Sequence, residues 1–175
     1  IDGQFCFGRQ CHRIQFTVDL LPADILGGQI YNSHEHKFEF HPGPLFTEMV
    51  LADELNRASP RTQGALLQAM EENHISLDGK NWPLPDPFFV IATQNPHQQM
   101  GTFPLPESQL DRFLMSLELN YASQKTEIEL FKSADAREKI NGLSVLLSKN
   151  QFNEFKSLVS KVTVSHLIAQ YVSDL

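Results

Sequence analysis

Hydrophobic positions along the chain change period several times, and each change marks an element. "RIQFTVDLLPADILGG" (13–28) opens on the alternation of a strand. It closes with Pro22, Ala23 and Asp24 entering a short helical turn, then breaks at Gly27-Gly28. "QIYN" (29–32) and "KFEFHPG" (37–43) read as two short strands joined by the polar "SHEH", a hairpin. "MVLAD" (49–53) is a continuous apolar run ending in acid, which suits a buried strand of a parallel sheet. "SPRTQGALLQAMEEN" (59–73) predicts a helix: Ser59 can cap it, Pro60 suits its first position, and Leu66, Leu67 and Met70 mark one face. Asp78-Gly79 is the turn signal of a second hairpin. "FFVIATQNP" (88–96) is another apolar strand, "ESQLDRF" a short helix and "FLMSLEL" (113–119) a further strand. From residue 121 three stretches look helical, at 123–140, 148–162 and 163–175, with Ser or Thr near each start. This order predicts an α/β fold, a parallel sheet core over 1–120 followed by a helical segment over 121–175.

Composition narrows the partners. The 175 residues suffice for one domain with a real core, and 41% hydrophobic with 20% charged residues is ordinary for a soluble globular protein. The net charge of −7 offers no overall footprint for a nucleic-acid backbone. No apolar run approaches a membrane span, and the N-terminus has no signal-peptide pattern. Cys6 and Cys11, five apart, form neither a CxxC pair nor a disulfide framework; they fit a reducing cytoplasm and read as small core residues. Ile1 suits a chain that begins inside a longer one.

The candidate chemistry lies where the two apolar strands end. "MVLADE" ends in Asp53 and Glu54, and "FFVIATQN" in Thr93, Gln94 and Asn95. Neighbouring parallel strands would bring these side chains to one cleft at their carboxyl ends, where open α/β sheets bind ligands. Phosphoryl transfer needs such parts: an acid for Mg²⁺, a group that orients water, and a positive charge. Asp53 would hold Mg²⁺ through water, Glu54 would polarise the attacking water, and Asn95 could position that water or sense the γ-phosphate. Arg112 in "QLDRF" could supply the positive charge.

"FHPGPLF", "VLADELNRASPRTQGALLQAMEE", "PLPDPFFVIATQNP", "GTFPLPESQLDRFLMSLEL" and "RIQFTVDLLPADILGG" together resemble the MoxR family of AAA+ ATPases. The likeness runs from about Arg13 to the C-terminus. It implies an AAA+ P-loop-type core followed by the start of a helical lid, with ATP and Mg²⁺ as cofactors. It implies that Asp53 and Glu54 are the Walker B acids, that Asn95 is the sensor 1 residue and that Arg112 is the arginine finger. The two hairpins would match the helix-2 insert and the pre-sensor-1 hairpin. The resemblance further implies a homo-oligomeric ring, often hexameric, and work with a von Willebrand factor A-type partner in maturation or metal-cofactor insertion. One departure is large. The only Gly-Lys pair, Gly79-Lys80, is followed by Asn81, so no G-x-x-x-x-G-K-[ST] phosphate loop is present. In the family that loop lies upstream of the segment matching Arg13 onward. Two competing readings follow, a non-catalytic remnant that only binds partners and a nucleic-acid-remodelling AAA+ motor; the charge argues against the motor.

Other features point less sharply. His34, His36 and His41 cluster around the first hairpin, with His34 and His36 spaced to share a strand face, but solvated histidines are the default. Trp82, Phe88 and Phe89 fit strand packing better than a base-stacking platform. Arg57 and Arg61, cations at the start of a helix, oppose its dipole, and for Arg57 this suggests a subunit-interface role.

Overall fold

A computed structural model describes residues 3–4, 10–95, 101–132 and 146–174. Four strands form the main sheet: β1 (Gly3–Gln4), β2 (Gln10–Gln15), β5 (Met49–Asp53) and β8 (Phe89–Ala92), in the order β1-β2-β5-β8. β1 pairs antiparallel with β2, while β2, β5 and β8 run parallel. The first long strand thus starts earlier than the alternation suggested and ends at Gln15, in register with Asp53.

Two hairpins stand outside this sheet. β3 (Gly27–Asn32) pairs with β4 (Lys37–Pro42), and β6 (His74–Leu77) with β7 (Lys80–Pro83). Gly27-Gly28, expected as a break, opens β3 instead, in contact with the end of β4. The second hairpin turns through Asp78 and Gly79, both with positive φ (51° and 74°), as a two-residue primed turn requires. An aromatic stack of Phe40 on Trp82, centroids 4.2 Å apart, joins the two hairpins. Trp82 is therefore a packing residue, Phe88 packs on the core, and Phe89 is half exposed on β8.

The core lies between the sheet and two helices, α1 (Pro22–Leu26) and α2 (Pro60–Glu72). Phe16, Ile25, Leu45, Val50, Leu55 and Leu66 are fully buried within it. Cys11 is buried as expected, and Cys6 lies outside the described residues. Ser59 caps α2 by accepting from the Thr62 amide, and Asn73 closes it in the left-handed conformation. The short helix α3 (Glu107–Leu110) follows, then α4 (Gln124–Lys132), α5 (Lys149–Val159) and α6 (His166–Ser173). Ser148 and Ser165 cap the last two.

Two expectations are corrected. "FLMSLEL" is not a strand: residues 115–120 have no regular structure, and Leu114, Leu117 and Leu119 are strongly exposed. A strand persists only with a ladder partner, and this stretch joins none of the described sheets. His34 and His36 share no strand face. They lie in the turn between β3 and β4, where the Asn32 side chain accepts from the amides of His34 and Glu35. Among the described residues, no group of three or more His, Cys, Asp or Glu could hold a metal ion, and no helix is long and apolar enough to cross a membrane.

Candidate functional site

Parallel pairing of β5 with β8 puts their carboxyl ends side by side. The strands stay stitched past their last ladder residues, with the Thr93 amide on the Ala52 carbonyl and the Leu55 amide on the Thr93 carbonyl, both at 2.9 Å. Between these bonds the chain turns sharply. Glu54 adopts a left-handed conformation (φ 55°, ψ 47°) and leads into a 3₁₀ turn, Leu55–Arg57, before the cap of α2. For a non-glycine residue that conformation costs about 1–2 kcal/mol, so the surrounding bonds must hold it.

Thr93 ties the two acids together. Its hydroxyl donates to Asp53 Oδ1 at 2.6 Å and accepts the Glu54 amide at 2.9 Å. The other Asp53 oxygen accepts from Arg13 of β2, from Nε at 3.1 Å and also from Nη2. The Thr93 hydroxyl first, and the Arg13 guanidinium second, hold the Asp53 carboxyl below the usual aspartate range. Asp53 is thus an ionised hard-oxygen donor that keeps 22% of its side-chain exposure. Glu54 points its carboxylate to Arg57, with Nη1 and Oε2 2.9 Å apart. Arg57 therefore sits ahead of the α2 cap with an acid of its own, rather than against the helix dipole.

Asn95 follows β8 and is held through its backbone. Asn56, buried in the turn after the acids, donates from Nδ2 to the Asn95 carbonyl at 2.8 Å and accepts the Asn95 amide on Oδ1 at 3.2 Å. The structure thus sets the backbone of Asn95 against the turn that follows Asp53 and Glu54. Arg112 is placed differently. It forms an ion pair with Glu71 of α2 at 2.5 Å, not with Asp111 or Glu107 of its own segment.

Sequence reasoning passed over Arg13, Asn56 and Gln63. Gln63 is fully buried, and its Nε2 reaches the carbonyls of Leu55, Ala58 and Phe103 at 3.3, 3.1 and 2.9 Å. A signal for it existed, since Gln63 occupies the i position of the stripe continued by Leu66, Leu67 and Met70, an apolar face of α2.

The sequence profile of the ATPase family associated with various cellular activities (AAA) matches residues 5–115. The uncharacterized protein YeaC of Bacillus subtilis is 45% identical over 168 residues, 96% of this chain and 52% of that protein. The chaperone MoxR1 of Mycobacterium tuberculosis is 48% identical over 118 residues, 67% of this chain and 31% of that protein. A crystal structure of a candidate ATPase from Cytophaga hutchinsonii superposes with a TM-score of 0.79 at 40% identity, covering 97% of this chain and 51% of that one. The chain spans about half the length of YeaC and of the Cytophaga protein.

Proposed function

Since the chain belongs to the ATPase family associated with various cellular activities, and within it to the MoxR type, we propose that the protein hydrolyses ATP with Mg²⁺ as a subunit of a homo-oligomeric, often hexameric, ring. The energy released would remodel or mature partner proteins, a von Willebrand factor A-type protein among them. Residues 1–120 would supply part of the ATPase core and 121–175 the start of its lid. The hairpins β3–β4 and β6–β7 would be the inserts of this clade. The work would take place in the cytoplasm.

The observation that carries this reading is the Asp53–Thr93–Glu54 knot at the carboxyl ends of two parallel strands. The donor set fits Mg²⁺, which is held by one or two carboxylates together with phosphates and water rather than by a full protein cage. Asp53, kept ionised by its partners, would be the metal-side acid. Bound there, Mg²⁺ would supply charge neutralisation on the β- and γ-phosphate oxygens. Glu54 would accept a hydrogen bond from the attacking water once its carboxylate leaves Arg57, an exposed pair worth about 0–1 kcal/mol. Asn95 offers an amide donor to the γ-phosphate or a seat for that water. Arg112, 40% exposed and paired with an exposed Glu71, would leave that partner at similarly small cost and serve the ATP of the neighbouring subunit. These 175 residues contain no G-x-x-x-x-G-K-[ST] phosphate loop.

The test is Glu54→Gln in the intact protein. Nucleotide affinity should stay unchanged while kcat falls by about two orders of magnitude or more, about 3 kcal/mol. Near-normal turnover would remove Glu54 from the reaction.

A further inference from the structure

Asn56 is 6% exposed and lies three residues after Asp53, in a turn that otherwise buries Leu55 and Ala58. A buried amide survives only when its hydrogen bonds are made, and this one spends both ends on a single residue. Nδ2 donates to the Asn95 carbonyl and Oδ1 accepts the Asn95 amide. Only a side chain carrying a donor and an acceptor on one plane can grip a backbone unit in this way. Asn56 in turn is fixed by its own carbonyl, which accepts the Phe103 amide at 2.6 Å. Gln63 braces the same assembly, since one buried Nε2 contacts the carbonyls on either side of Asn56, at Leu55 and Ala58, and that of Phe103.

We propose that Asn56 is the positioning residue for Asn95, a two-point clamp that holds the sensing amide in register with Glu54. This rests on the reading of Asn95 as a group that meets ATP or the attacking water. The clamp joins the loop after β8 to the turn carrying the water-polarising acid, so that both move as one body. Displacement of a reacting group by about 1 Å costs up to about a hundredfold in rate, so a loose Asn95 should lower turnover more than ATP binding.

The discriminating variant is Asn56→Asp in the intact ATP-hydrolysing protein. It conserves volume, so a space-filling role predicts wild-type turnover. It also sets a carboxylate oxygen against the Asn95 carbonyl, so the clamp predicts a loss in kcat of about tenfold to a hundredfold, with KM for ATP changed less than about threefold. Asn95→Ala should give a similar loss, and the double variant should be no slower than Asn95→Ala alone, because both act through one group. Hydrogen exchange across 91–95 should be faster in Asn56→Ala than in the parent. Wild-type kcat in Asn56→Asp beside an impaired Asn95→Ala overturns the clamp and leaves the role of Asn95 standing. Losses that multiply in the double variant overturn it as well. An Asn56→Asp protein that does not fold makes Asn56 a structural residue and overturns the proposal. Wild-type kcat in Asn95→Ala overturns the parent reading, and the clamp with it.

Discussion

Thr93→Val isolates the knot at the centre of the site. The substitution exchanges a hydroxyl for a methyl of the same shape and removes two bonds, the donation to Asp53 Oδ1 at 2.6 Å and the acceptance of the Glu54 amide at 2.9 Å. The first is charge-assisted and worth about 1.5–3 kcal/mol; the second is a neutral bond worth about 1 kcal/mol. Asp53 keeps 22% of its side-chain exposure and Glu54 33%, so water takes over part of both. A net loss of about 2 kcal/mol at pH 7 remains, a fall in Tm of about 4–8 °C for a protein of this size. The two bonds separate by pH. The Thr93 hydroxyl, ahead of Arg13, lowers the Asp53 pKa. A carboxyl whose folded pKa lies below its unfolded one contributes stability that is fully present above the ordinary aspartate value of about 3.9. That contribution is lost as pH falls through the lower folded value. The penalty of Thr93→Val should therefore be equal at pH 7 and pH 5 and smaller at pH 3, below the ordinary aspartate value, while the share of the Glu54 amide, about 1 kcal/mol, does not titrate. Urea unfolding of both proteins at the three pH values measures it. A variant as stable as the parent at pH 7, or a penalty unchanged at pH 3, refutes the reasoning.

Two more substitutions probe other parts of the molecule. Arg112→Ala should lower ATP turnover by about 10³–10⁵ while moving stability by less than about 1 kcal/mol, since only an exposed ion pair with Glu71 is lost. Mixing Arg112→Ala with Glu54→Gln subunits, each inactive alone, should restore activity, and correctly assembled mixed rings that stay inactive would deny the finger role across subunits. Gly27→Ala should cost more than about 3 kcal/mol, because φ is +88° and a Cβ would stand 2.2 Å from the His41 carbonyl oxygen and 2.4 Å from the Gly43 nitrogen, both backbone. Gly28→Ala, with nothing within 4 Å of the new carbon, is the control and should stay within about 0.5 kcal/mol by the same unfolding assay.

What could be read from the sequence was whatever is encoded within a few neighbouring residues. Asp78-Gly79 announces its turn because only residues tolerant of positive φ suit it, and Ser59-Pro60 announces α2 because cap and first turn are adjacent. Asp53 and Glu54 stood out for a similar reason, two acids closing an apolar run. The contacts that hold them were not legible, because they span about forty residues and depend on strand order. Arg13 reaches Asp53 only because β2 lies beside β5 with Gln15 opposite Asp53, and Thr93 only because β8 lies on the other side. The misread "FLMSLEL" shows the converse, since strand propensity without a ladder partner leaves Leu114, Leu117 and Leu119 in solvent. Gln63 lies between these cases. A polar residue on the apolar stripe of a helix is a local anomaly, visible without any structure. Burying its amide is tolerable only where carbonyls await it, and the carbonyls it meets belong to the turn after the two acids and to the segment leading to Arg112. A buried amide on such a stripe therefore shows that a nearby loop is held in a fixed shape, and here that loop carries the candidate chemistry.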